Sequence, residues 1–159
     1  MIGSAFYIMS MEEGRVFWDP TLPSQTPADR RKIFTSKIET LAKLHMFKPE
    51  QIGLSDFGKP GNYFARQIDR WTKQYRASET QHIPEFDKLA EWLPKTVPAQ
   101  ERISIVHGDY RLDNMIFHPT EPRVLAVLDW ELSTLGDPMA DFTYLLMQWT
   151  MPGLANADL

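Results

Sequence analysis

The apolar positions in the first half of the chain recur at helical spacing. Phe34, Ile38, Leu41, Ala42 and His45 fall at steps of four, three, one and three, so one helical face is expected to end near Lys48 and Pro49. Thr26 before Pro27 supplies an N-cap and a first helical residue whose missing N–H is no loss at that position. A second helix is read over residues 64–79, with Phe64, Ile68, Trp71 and Tyr75 on one side and most of the basic residues on the other. A third repeats the spacing at Phe86, Leu89, Ala90 and Leu93 and closes at Pro94. All three stripes are expected to be core. Residues 5–18 read as two short apolar strands around SMEEG, and LSDFGKPGNYF at residues 54–64 reads as loop.

The pattern changes after Pro98. RISIVH, NMIFH and RVLAVLDWE are β-branched or apolar runs of strand length, separated by GDYRLD and PTEP. Residues 137–150 return to helical spacing, with Asp137 as the expected cap and Pro138 at the first position. The order is helices first, then a small strand cluster, then one more helix. This predicts an α+β fold with polar residues gathered at the strand ends.

Composition narrows the function. The 159 residues are enough for about one domain, and 43% hydrophobic with 24% charged is ordinary for a globular chain. A net charge of -4 without a basic stripe speaks against nucleic acid as a partner. The absence of cysteine removes thiolate chemistry, disulfides and zinc–cysteine sites. The N-terminus lacks the basic start of a signal peptide, and no apolar run approaches a membrane span, so no membrane partner and a cytoplasmic location are expected.

The chemistry is concentrated in SIVHGDYRLDNMIF, residues 104–117. Charges packed this tightly between two apolar runs repel or desolvate one another unless something binds them. Asp109 and Asn114 lie five residues apart, so a loop can fold back and bring both side chains to one pocket. Asp129 arrives at the end of the next strand. Magnesium prefers one or two carboxylate or amide ligands, with waters and substrate phosphates completing the shell, which suits Asn114 and Asp129. Asp109 is then left to accept a hydroxyl proton.

HGDYRLDN, with LDWE fifteen residues after Asn114 and then GDPMADF, resembles the catalytic loop and metal-binding segment of the aminoglycoside phosphotransferase and choline kinase-like family. The likeness is nearest to phosphotransferase-like domains that occur alone in bacteria or fused to acyl-CoA dehydrogenases. FYIMSMEEGRVFWDP, LAKLH, FARQIDRWTKQY and VLAVLDWELSTLGDP also look like that family's run, so the resemblance covers nearly the whole chain. It implies a protein kinase-like fold, mainly the helical C-terminal lobe, with a small strand cluster carrying the catalytic loop. It divides the chain into residues 1–18, the hinge and edge of the nucleotide lobe, and residues 19–159, a partial catalytic lobe.

By the same resemblance Asp109 is the catalytic base, Asn114 and Asp129 are magnesium ligands, and Glu131 is a further metal or water contact. His107 braces the loop, Arg111 meets phosphate or substrate or pairs with a neighbouring acid, Asp137 caps the last helix, and Asp141 ties down loop amides. Met9, Ser10 and Met11 would be the hinge whose backbone touches adenine. The implied partners are ATP, magnesium and a small-molecule hydroxyl acceptor, with the acceptor itself unspecified. The glycine-rich phosphate loop and the strand lysine paired with a glutamate are not found. Weak or absent turnover is therefore expected of this chain, which reads as the central part of a kinase, a fragment or a truncated product.

Two rivals are weighed. A metal-dependent hydrolase would use His107, Asp109, His118 and Asp129 as ligands with an open water position. A non-catalytic remnant would instead bind partners or dimerise through apolar surface that the missing lobe leaves exposed.

Overall fold

The structure, a computed structural model, describes residues 8–150. Helix α1 spans Pro27–Met46, α2 Tyr63–Ser78, α3 Pro84–Trp92 and α4 Met139–Thr150. Thr26 Oγ1 accepts from the Asp29 amide at 3.2 Å, so the start of α1 is fixed by the expected cap. Asp137 Oδ1 accepts from Met139 N at 2.9 Å ahead of α4. Short 3₁₀ turns at Pro49–Ile52, Leu93–Lys95 and Trp130–Leu132 join these elements to their neighbours.

Four short strands form two antiparallel pairs. Strand β1 (Ser104–Val106) pairs with β4 (Thr134–Gly136), and β2 (Met115–Phe117) pairs with β3 (Val124–Val127). The three strands read from the sequence are present in shortened form, and β4 is an addition. It follows a polar turn and acquires its conformation by pairing Ser104 with Gly136 and Val106 with Thr134. Of the two strands expected over residues 5–18, none is formed among the described residues 8–18. Residues 1–7 lie outside the described residues, and the second run meets the β2–β3 hairpin at a single bridge. There Arg15 N and O each bond Phe117 at 2.8 Å. A one-residue ladder does not extend, and Trp18 beyond it is exposed.

The core lies between α1, the two strand pairs and α4. Leu22, Ile33, Leu41, Met115, Phe117 and Leu145 are among its buried members. The buried face of α1 runs through Ile33, Lys37, Leu41 and Leu44, about one position round from the expected stripe, and it leaves Ile38 and Ala42 exposed. The stripe seen in the sequence passed over this face because a lysine interrupts it. The stripes of α2 and α3 also differ from expectation. Tyr75 stacks on Phe86 at 3.6 Å, but Trp71, Leu89 and Trp92 are exposed, and no residue of α3 is buried. These helices pack on one another rather than into the central core, so their apolar sides are covered only halfway.

Candidate functional site

The loop between β1 and β2 carries the candidate chemistry, and the surrounding structure ties it down. Gly108 has φ of 89°, and a Cβ there would lie 2.9 Å from both the Cβ and the carbonyl oxygen of Leu132. Only glycine combines that left-handed backbone with so close an approach. Asp141, buried in the first turn of α4, spans the loop start. Its Oδ2 accepts from His107 N at 2.8 Å and its Oδ1 from Gly108 N at 2.9 Å. His45 of α1 bonds the same Oδ2 through Nε2 at 3.0 Å.

His107 is fully buried and uses both ring nitrogens. Its Nδ1 accepts from Asp109 N at 3.2 Å, so the ring proton sits on Nε2, which donates to Leu128 O at 2.8 Å. The ring thus links the 107–114 loop to the residue before Asp129. From the other side, Leu128 N donates to Asn114 O at 2.8 Å. Residues 107, 114 and 128 are thereby held in one frame.

Asp109 is bracketed at both oxygens. Asn114 Nδ2 donates to Asp109 Oδ2 and to Asp109 O, each at 3.0 Å. The hydroxyl of Tyr144, on α4, donates to Asp109 Oδ1 at 3.1 Å. Burial and the neighbouring Asp109 charge raise the Tyr144 phenol above its ordinary value, so it is a neutral donor. Arg111 does not reach outward as a lone cation. It forms a two-point pair with Asp113, with Nε to Oδ1 at 3.0 Å, and that bond holds its guanidinium even further above the usual range. Tyr110 reaches back under the loop and donates to the carbonyl of Lys37 at 2.7 Å.

Asp129 is an exposed non-glycine residue at φ of 64°, a conformation that costs on the order of 1 kcal/mol and is kept where the surroundings enforce it. It opens the turn carrying Glu131, which is also exposed. The donor set suits magnesium. Because the Asn114 amide nitrogen is spent on Asp109, its oxygen is left as an acceptor, and Asp129 contributes a carboxylate not bonded to the described residues. No three His, Cys, Asp or Glu side chains among the described residues form a metal cage. A sparse set completed by water and phosphate is what magnesium uses with nucleotides. The hydrolase rival fares worse. His107 has no nitrogen left for a metal, and His118 Nδ1 accepts from the amides of Thr120 and Glu121 at 3.3 and 3.1 Å.

Met9, Ser10 and Met11 are exposed and lie in no regular element. Beside the 107–114 loop a cavity of about 500 Å³ opens between α2 and α4, with Tyr63, Arg70, Trp71, Gly108, Tyr144 and Met147 in its walls. Sequence reasoning missed three participants: Tyr144, His45 and Lys37. Each acts across at least 35 residues of chain, and no local motif marks such a contact.

A loop of this form, set between two short strand pairs and backed by helices, defines a phosphotransferase lobe of the protein kinase-like class. The chain belongs to the phosphotransferase enzyme family, whose profile it matches over residues 2–159. It is similar to a solved protein from Ralstonia eutropha assigned as an aminoglycoside phosphotransferase, at 58% identity and a TM-score of 0.87, covering 92% of this chain and 45% of that one. A macrolide 2′-phosphotransferase type I shares the fold at 20% identity and a TM-score of 0.66, over 91% of this chain and 50% of that one. Mouse acyl-CoA dehydrogenase family member 10 is 48% identical over 152 residues, 96% of this chain. The chain spans 14% of the length of that relative.

Proposed function

We propose that this chain carries the catalytic loop of an ATP-dependent phosphotransferase with an alcohol acceptor. The carrying observation is the Asp109 carboxylate, fixed at both oxygens by one hydrogen bond from Asn114 and one from Tyr144, a residue that lines the cavity. Asp109 is the base that takes the acceptor hydroxyl proton. Asn114 and Asp129 would hold magnesium, with Glu131 at its margin. When bound, magnesium ATP supplies the γ-phosphoryl group and the neutralising charge. His107 and Asp141 keep the loop in register, and the backbone of Met9, Ser10 and Met11 forms the adenine hinge, so that residues 1–18 belong to the nucleotide lobe and residues 19–159 to the catalytic lobe.

The acceptor is a small hydroxylated metabolite rather than a polycationic antibiotic. Among the described residues the one acid in the cavity wall is Asp141, and it already has its oxygens bound to His107, Gly108 and His45. Arg70 in the same wall disfavours a cation. The test is phosphate transfer from magnesium ATP to a panel of hydroxylated metabolites, comparing the chain with Asp109→Asn. Loss of a general base lowers turnover by about 100-fold or more; an Asp109→Asn chain as active as the parent would sink this reading.

A second reading, a non-catalytic module that self-associates, is favoured by the open apolar sides of α2 and α3, where Trp71 and Trp92 are 48% and 57% exposed. A dimer in sedimentation equilibrium, together with no nucleotide binding, would select it.

A further inference from the structure

We propose that Tyr144 is a positioning residue that holds the Asp109 carboxylate in its working rotamer. The inference rests on the reading of Asp109 as the base. A carboxylate at the end of a two-bond side chain has several staggered orientations, and a base that must meet a hydroxyl proton works from one of them. Asn114 alone does not fix it. Its Nδ2 is shared between the Asp109 backbone carbonyl and Oδ2, so Oδ1 is left to another donor.

Tyr144 is that donor, at 3.1 Å. It comes from α4, a different element, 35 residues along the chain, so the two oxygens are held by two different elements. The helix is itself pinned to the loop two ways. Asp141, one turn earlier on α4, binds the amides of His107 and Gly108, and Leu145, next to Tyr144, is buried in the core. The phenol therefore cannot drift away from the loop it supports. Tyr144 also lines the cavity beside Gly108, so the phenol stands at both that cavity and the Asp109 carboxylate. The tyrosine is neutral, and it donates without adding a competing charge.

The discriminating variant is Tyr144→Phe, which removes one oxygen and keeps the ring. In the native-length polypeptide it is expected to lower kcat about tenfold or more while the KM for ATP stays within about twofold, since the nucleotide contacts are untouched. Independently of turnover, the Asp109 χ1, read from three-bond couplings on a selectively labelled chain, is expected to pass from one rotamer to an average. Parental kcat, or a single unchanged Asp109 rotamer in Tyr144→Phe, would overturn the proposal. If neither the parent nor any variant transfers phosphate, or Asp109→Asn is as active as the parent, the phosphotransfer reading fails. The rotamer measurement then decides the positioning claim alone.

Discussion

Lys37 offers the most quantitative prediction. It lies on the buried face of α1 with 2% of its surface exposed, and its Nζ sits 5.8 Å from the centre of the Tyr110 ring. Burial, partly offset by the attraction of Asp113, lowers its pKa from 10.5 to about 8. The sign follows from where the protons go. Below pH 8 the folded chain carries the desolvated ammonium and the penalty is complete. Between pH 8 and 10.5 the unfolded chain holds the proton that the folded chain has shed, so the penalty fades as the pH rises. At about 1.4 kcal/mol per pKa unit, the penalty at neutral pH is about 3 kcal/mol.

Lys37→Met removes the charge and keeps an unbranched stem of similar length in the same slot. The lost cation–π contact offsets on the order of 1 kcal/mol, and Asp113 keeps Arg111 as its partner, so no charge is stranded. The variant should therefore be more stable by about 2 kcal/mol at pH 7, and the gap should shrink below about 1 kcal/mol at pH 10. Urea unfolding of both chains at the two pH values measures this. The raised phenols of Tyr63, Tyr110 and Tyr144 are common to both chains and cancel. A variant no more stable than its parent at neutral pH, or a gap that ignores pH, would refute the reasoning.

Two further outcomes follow from the loop frame. Gly108→Ala forces a Cβ to 2.9 Å from Leu132 at a left-handed φ, so it should lower the thermal midpoint by the equivalent of about 2 kcal/mol or more, seen by calorimetry. Asp141→Ala leaves the amides of His107 and Gly108 without acceptors, at about 1–3 kcal/mol each; denaturant unfolding should register a loss near the sum, and a loss below about 1 kcal/mol would deny Asp141 its anchoring role.

What could be read from the sequence was local. The ends of α1 and α4 were legible because Thr26, Pro27 and Asp137 act within a turn of where they stand. The spacing of Asp109 and Asn114 was legible for the same reason, since a five-residue step can only fold back on itself. Strand β4 was not, because its conformation comes from pairing with β1 and not from its own residues. The buried face of α1 was misread by one position because a buried lysine looks polar on paper. What partly offsets the burial of that lysine, the Tyr110 ring 5.8 Å from its Nζ, lies 73 residues away.

The same distance argument explains why the loop is built as it is. Four members of the 107–114 segment are answered by elements remote in sequence: His107 by Leu128, Gly108 by Asp141, Asp109 by Tyr144, and Tyr110 by Lys37. None of these bonds can form until α1, β3 and α4 have assembled around the loop. The geometry of the Asp109 carboxylate is therefore a property of the assembled lobe, and loss of the Tyr144 hydroxyl should appear as disorder at Asp109, whereas loss of the buried Asp141 should also cost stability.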